Sequence, residues 1–445
     1  MPTDIKDTIP AEERYRSKTP RSHDAFKQMG SVMPGVAKGA YYYAPYPITI
    51  DHADGCYLYD IDGNQYIDFA NHHTAQILGH NHPAINEAVT QQLKKGIAVA
   101  GPMGVETQLA SEICRRVDSV ESIRFCNSGT EATLHAVRLA REYTGRYKIA
   151  KFEGGYHGSH DSVEISVAPD LQKAGPSDRP NAVPTAGGMP PNATENIVIL
   201  PDNNEEAVER IIVEHKRDLA CVLLDPKAGI IPQRPEFVRA VREITEKNNI
   251  LMMLDEIVGF RAARGGIQSQ YNIRPDLTTF GKIIGGGFPI GAFGGRKDLM
   301  ALLDPTNKGA RLFQSGTFSA HPVAMAAGMA LLGELNESAF EHLAFLSDRL
   351  TDGLNHIFIH SSTPVQVACS ASTFSFYFTE HPVRTYRDSV ASDQVKVHQV
   401  FLALLDQGYY LGNGLGMNCL SLPMNETHID GLIQAIENAL EVFVE

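Results

Sequence analysis

The chain has no tryptophan, few cysteines and no long apolar run, and each shortage narrows what it can be. Its six cysteines, Cys56, Cys114, Cys126, Cys221, Cys369 and Cys419, are scattered, without a CxxC pair or zinc-like Cys/His spacing. That pattern speaks against a disulfide framework or a structural metal, and for a reducing compartment. No stretch approaches the roughly 20 apolar residues of a membrane span. The polar N-terminal segment MPTDIKDTIPAEERYRSKTPRSHD has no apolar signal-peptide core. The expectation is a cytoplasmic protein with no membrane partner. Positive charge is also short: 39 Lys and Arg against 52 Asp and Glu give a formal net charge of −13. That argues against nucleic acid as partner.

What is present is regular. The 445 residues suffice for two or three domains. From Thr107 onward, strand-like runs (SIRF, YKIAKF, NIVILP, LACVLLDP, ILMMLDE, LTTFGK) alternate with helical patterns such as Glu205 to Arg217 and Glu236 to Asn248. This order implies an α/β fold, a mostly parallel sheet covered by helices. Residues 61–330 read as this large domain. Residues 331–445 read as a smaller α+β domain, completed by the N-terminal arm and segment 1–60. Asp62-Gly63-Asn64, inside CYLYDIDGNQYIDF, marks a hairpin. Residues 1 to about 24 read as a mobile arm or one lying across a partner subunit, and Ala25 to Gly35 as a short helix. The Pro- and Gly-rich stretch from Val167 to Asn196 is too long for an ordinary connection and reads as an active-site lid or a disordered insertion.

The chemistry centres on Leu251 to Gly287. One apolar run ends in Asp255, another ends in Lys282, and three glycines follow. In open α/β sheets the ligand crevice lies outside the carboxyl ends of the strands, so both charges can face one site. A desolvated lysine loses its proton and forms an imine with a carbonyl. A Lys Schiff base with an Asp at the pyridinium nitrogen is the recurring pair of pyridoxal phosphate chemistry. The ordinary reading is a solvated strand end and a surface loop, so other parts of the chain must decide.

Three do. Ser128, Gly129 and Thr130 lie between a strand and a helix, where backbone N–H groups and hydroxyls make an anion site; by themselves they would equally be a helix cap. Tyr156 and His157 follow a strand and two glycines, placing a ring where it can stack on a flat cofactor. Ser315-Gly316-Thr317 repeats the phosphate-loop composition, and a second subunit would explain the duplication. The YYYAPYP patch, with Tyr41, Tyr42, Tyr43 and Tyr46, is either packing or the wall of a substrate pocket. His80 and His82 flank a turn without metal-ligand spacing on a helix face, and no metal is expected.

FCNSGTEATLHAVRLAREYTGR, KFEGGYHG, LDEIVGFR, PDLTTFGKIIGGGFPIGAFGGR and SGTFSAHPVAMAAG resemble the motifs of class III, fold-type I, pyridoxal-phosphate aminotransferases. They are most similar to glutamate-1-semialdehyde 2,1-aminomutase and the β-amino-acid (β-phenylalanine-type) aminotransferases, collinearly from about Gly35. The resemblance implies that Lys282 carries the Schiff base and shuttles the proton, and that Asp255 pairs with the pyridine nitrogen. It further implies that Ser128, Gly129 and Thr130 cradle the phosphate, and that Tyr156 and Ile257 cover the two ring faces. Thr317 would reach the phosphate of a neighbouring subunit in a homodimer with shared active sites. It also turns the Val167 to Asn196 segment into a mobile lid.

The chain departs from that pattern in three places. VAKGAYYY offers Lys38, and no arginine, where the aminomutases bind a carboxylate; LGNGLGMNCLSLP offers none near the C-terminal strand. Lysine does not reproduce a guanidinium fork. DPKAGI places Ile230 or Ala228 where the cofactor's 3′-oxygen would be bonded, leaving Gln233 as a substitute. The resulting expectation is an aminotransferase acting on an amine or amino acid, of β-, aryl or cyclic type, and a carbonyl acceptor, with pyridoxamine phosphate as the intermediate form. Lys38, Tyr41 and Tyr43 are its candidate substrate contacts. The alternatives are an intramolecular 2,1-aminomutase, a racemase, a nucleotide-binding α/β protein and a non-enzymic cofactor binder.

Overall fold

The computed structural model describes residues 11–190, 192–226 and 230–441 and divides into two compact units. The larger takes in Pro83–Glu341 and Val383–Val390; the smaller takes in the described residues up to His82, His342–Pro382 and those from Ala391 onward. No helix among the described residues is long and apolar enough to cross a membrane.

Seven strands form the sheet of the larger unit: β1 (Ser122–Cys126), β2 (Lys148–Phe152), β3 (Ile197–Leu200), β4 (Leu219–Leu224), β5 (Leu251–Asp255), β6 (Leu277–Gly281) and β7 (Gly291–Gly295). Their order is β1-β7-β6-β5-β4-β2-β3. The pairings from β6 to β3 are parallel, and β7 runs antiparallel to both β1 and β6. Every residue of β4 and β5 is buried, which is why LACVLL and LMML are apolar throughout and do not alternate.

Three crossover helices, α1 (Gly129–Thr144), α2 (Glu205–His215) and α3 (Pro235–Lys247), each bury one face. Phe237, Val238 and Val241 of α3 are fully buried, each contributing about 1.5–3 kcal/mol from removal of apolar surface from water. α1 stops at Gly145, whose φ of 67° lets its N–H return to the Arg141 carbonyl.

Strand β7, GAFGG, has no counterpart in the sequence reading, because glycine is poor in strands and carries no periodic signal. Its glycines are required by close approach. A Cβ at Gly291 would collide with the Ser128 carbonyl, and one at Gly295 with the Asp276 carbonyl.

The smaller unit holds a four-stranded sheet, Ile50–Asp54, Tyr57–Asp60, Gln65–Asp68 and Tyr409–Tyr410, and a three-stranded one, Gln366–Ser370, Thr373–Tyr377 and Asn418–Cys419. The hairpin at Asp62-Gly63-Asn64 forms, with Gly63 at φ 95°. Its second strand pairs in parallel with Tyr409–Tyr410. That pairing draws residues 61–82 into the smaller unit and moves the boundary from the expected 61 to Pro83.

The second expected boundary, near 330, also moves, because helix Pro322–Glu334 packs on helices Pro83–Leu93 and Gly104–Arg116 of the larger unit. The described part of the N-terminal arm differs from expectation as well. Ala11–Lys18 and Pro20–Gly30 are helices, and Arg14 and Lys18 both pair with Asp406 of their own unit. Residues 1–10 lie outside the described residues.

Candidate active site

Strand β6 ends at Gly281, and Lys282 takes a φ of 49°. A left-handed conformation costs a residue with a Cβ roughly 1–2 kcal/mol, and such strain persists only where surroundings impose it. Here they do. The turn Lys282–Gly285 is closed by Gly286, at φ 58°, whose N–H bonds the Ile283 carbonyl at 3.2 Å. Helix Pro322–Glu334 lies against it so closely that a Cβ at Gly286 would meet the Ala327 backbone, and one at Gly328 the Ile284 carbonyl. The small residues of HPVAMAAGMA therefore fix the base of Lys282, which is half-buried.

Asp255 closes β5 and is 4 % exposed. Its Oδ1 accepts from the Ile257 N–H at 3.1 Å, and its Oδ2 lies 2.8 Å from His157 Nδ1. An ionised carboxylate only accepts, so with Asp255 ionised His157 donates from Nδ1. His157 is in turn held by its carbonyl, which accepts from the Thr133 hydroxyl of α1 at 2.6 Å. The aspartate is thus aimed by the loop after β2 and by a helix. β5 and β6 pair with Asp255 opposite Thr279, and Lys282 opens the turn that follows the end of β6, the parallel strand beside the one Asp255 closes.

Ser128 caps α1, its Oγ accepting from the Glu131 N–H at 3.1 Å, while the Glu131 carboxylate accepts from the Asn127 N–H at 3.0 Å. This cap, with the Glu131 carboxylate bonded one residue ahead of it, leaves the N–H groups of Gly129 and Thr130 without an intrahelical acceptor. A Cβ at Gly129 would lie 2.6 Å from Ile257 Cδ1, and one at Gly281 3.5 Å from Ile257 Cγ2. Ile257 therefore forms an apolar wall joining the helix N-terminus to the lysine strand. Tyr156 leaves a large ring 57 % exposed, its hydroxyl 3.3 Å from Ser159 Oγ.

The other expected residues lie as follows. Thr317 is exposed, in a loop whose Gly316 sits close to Asn127. Gln233 is buried and spends its amide N–H on Asp202 at 2.7 Å. Ile230 is described, and Ala228 lies outside the described residues. In the smaller unit, Lys38 Nζ is 3.0 Å from His72 Nε2, and the Tyr41 ring is 4.4 Å from that of His73. Tyr43, expected to contact substrate, is corrected to a packing residue: it is 3 % exposed, and its hydroxyl accepts from the Ile48 N–H and the Tyr15 hydroxyl. Tyr46 is buried likewise.

The sequence reading missed Thr133, Gly291 and the run Asn71–Thr74, where φ is 44°, 51°, 52° and 73°. Asn71, His72 and His73 are residue types enriched in that conformation, whereas the β-branched Thr74 is an outlier there.

Glu256, next to Asp255, is fully buried and accepts from the Ile267 and Gln268 N–H groups at 3.0 and 2.9 Å. Burial pushes its carboxyl up to about 7. The folded state therefore binds this proton more tightly than the unfolded one, so stability falls as pH rises from about 4.5 to about 7 and is flat above. Glu256→Gln is expected to lose that slope. Urea unfolding of both proteins between pH 5 and 8 measures it, and a constant gap between them across the range would refute the assignment.

A phosphate needs the first-turn amides of α1, a pyridinium needs a fixed carboxylate, and a carbonyl needs an amine. Gly129 with Thr130, Asp255 and Lys282 meet these three demands of pyridoxal phosphate within one unit. The glycine contacts at Gly129 and Gly291 leave this cradle no room for larger residues.

Residues 39–440 match the model of the class-III aminotransferases. The glutamate-1-semialdehyde 2,1-aminomutase of Methanocaldococcus jannaschii is 37% identical over 430 residues, 95% of this chain and 99% of that protein. Among solved structures, an omega-transaminase from Sphaerobacter thermophilus superposes with a TM-score of 0.91 at 39% identity, over 94% of this chain and 97% of that one. A β-phenylalanine aminotransferase from Variovorax paradoxus does so with a TM-score of 0.87 at 35% identity, over 97% and 96%.

Proposed function

We propose that this chain, which belongs to the class-III aminotransferase family and is a pyridoxal-phosphate-dependent enzyme, moves an amino group from an amine or amino-acid donor to a keto acid or other carbonyl acceptor. The observation that carries this reading is Asp255, locked by His157, at the end of the strand beside the one that leads into Lys282. When bound, the cofactor supplies an electron sink for the carbanion that forms at the substrate carbon.

The protein does the rest. Gly129 and Thr130 N–H groups and the Ser128 hydroxyl hold the phosphate at the positive end of α1. Asp255 keeps a proton on the ring nitrogen. Ile257 and Tyr156 cover the ring faces and exclude water. With the cofactor bound, the Lys282 amine would take the proton from the substrate carbon as general base and give it back as general acid.

Transfer between two substrates is preferred to the intramolecular alternative on one ground: the segment VAKGAYYY lacks the arginine expected of a glutamate-semialdehyde site. The comparisons support both readings alike, since the transaminase structures and the aminomutase relative are each similar over nearly the whole chain. Lys38 and Tyr41 are the proposed substrate contacts, and a donor of β-, aryl or cyclic type is proposed.

A homodimer with shared active sites is part of the reading. On a single chain, Phe313, Phe318, Ile97 and Val99 are 80, 59, 58 and 47 % exposed, and a second copy covering them would bring its own Thr317 with it. The protein is expected to sediment as a dimer.

The test is the visible spectrum of purified protein with α-, β- and aryl-amino donors and no acceptor. Replacement of the lysine-bound cofactor band by that of pyridoxamine phosphate is expected with one donor class. A band that no donor shifts favours the aminomutase, and no band with added cofactor removes Lys282 from its role.

A further inference from the structure

The segment Val383–Val390 belongs to the larger unit although the chain on either side of it belongs to the smaller. It is anchored at the carboxyl ends of two strands. Asn203, past β3, donates its side-chain amide to the Arg384 carbonyl at 2.7 Å. Glu153, immediately past β2 and 4 % exposed, pairs with Arg387 through two bonds, Nε to Oε2 at 2.8 Å and Nη2 to Oε1 at 2.9 Å.

The rest of the guanidinium fans over three consecutive carbonyls: Gly175 at 2.8 Å, Ala174 at 3.2 Å and Pro176 at 3.3 Å. The neighbouring Tyr386 ring presses on Gly154, where a Cβ would lie 2.6 Å from it, and its hydroxyl donates to the Pro169 carbonyl at 3.1 Å. The fully buried Lys151 of β2 donates to the Ile165 carbonyl.

We infer that Arg387 is a positioning residue: it latches the first half of the long 167–196 segment onto the end of β2 and fixes the turn Glu153-Gly154-Gly155 from which Tyr156 projects. A mobile lid has loosely held carbonyls; this one has three carbonyls on one half-buried cation, itself paired to the buried Glu153. A guanidinium is required, because the fork satisfies a carboxylate and the fan of carbonyls at once, whereas an ammonium has three donors at one point. The latch predicts that any hinge motion lies beyond Pro176. Its effect on the cofactor rests on the assignment of Tyr156 to the ring face; its effect on the segment does not.

The experiment uses the full-length protein and two readouts, cleavage of the holoenzyme and cofactor titration of the apoprotein. Trypsin cleaves after the exposed Lys173, next to the latched Ala174 carbonyl, and mass spectrometry quantifies the fragment ending there. Arg387→Ala is expected to raise this cleavage rate at least about tenfold and to weaken pyridoxal phosphate, read by fluorescence titration, roughly tenfold, the scale of one lost charge-assisted hydrogen bond. Arg387→Lys is expected to fall between Arg387→Ala and the parent. Arg179→Ala removes a surface pair with Glu214 from the same segment and is expected to change neither readout by more than about twofold, as exposed pairs do.

Unchanged cleavage in folded Arg387→Ala, or equal cleavage in Arg179→Ala, overturns the latch. Raised cleavage with unchanged affinity overturns the positioning of Tyr156. If Arg387→Ala does not fold, Glu153→Gln, which keeps the shape and removes the charge, carries the same comparison. A parent that binds no cofactor defeats the proposed function, while cleavage still decides the latch.

Discussion

Lys282→Ala is expected to lower turnover by at least about 10⁴-fold while leaving the fold in place. General acid–base catalysis alone is worth about 10²–10⁴, and the covalent anchor for the cofactor is lost with it. The backbone argues for an intact fold. The left-handed conformation at 282 is imposed by Gly286 and by helix Pro322–Glu334, and alanine meets the same conformational cost as lysine there. Lys282→Arg separates proton transfer from charge. Arginine keeps the cation but does not release its proton, so it is expected to be as inactive as alanine. Steady-state kinetics with the donor found by the spectral test, beside circular dichroism, measures both, and either variant retaining more than about 1% of parental turnover would contradict a role assigned on general acid–base grounds.

Asp255→Asn is expected to reduce kcat roughly 10²–10³-fold, the scale for removing one preorganised electrostatic partner of a developing charge. The amide fills the same volume and still offers an oxygen to the Ile257 N–H, but its nitrogen then faces His157 Nδ1 across a distance of 2.8 Å in the parent. Without the carboxylate nothing holds the proton on the ring nitrogen, and the sink for the carbanion weakens. Cofactor affinity is expected to fall by less than about tenfold, because the phosphate contacts at α1 are untouched. An equal loss in affinity and in kcat would mean that Asp255 holds the cofactor and does not tune it. Titration of the apoprotein with pyridoxal phosphate, beside single-turnover rates, distinguishes the two.

The apolar runs SIRF, YKIAKF, NIVILP, LACVLLDP, ILMMLDE and LTTFGK were enough to fix the sheet's class and the strand ends that carry Asp255 and Lys282. A strand buried on both faces must be apolar along its length, and only its end can bear a charge. Ser128 and Gly129 were legible because a helix N-terminus needs a cap and an approachable backbone.

Tertiary structure alone decided what holds those groups. His157 meets Asp255 across 98 positions of sequence, Glu153 meets Arg387 across 234, and Gly291 shapes the loop at Ser128 from another strand. No local pattern encodes such partners, because a hydrogen bond or a close glycine contact depends on where two distant backbones meet and leaves no period along either. The same reason placed Tyr43 in the packing of the smaller unit: a tyrosine in a cluster looks the same in sequence whether its ring lines a pocket or fills a core.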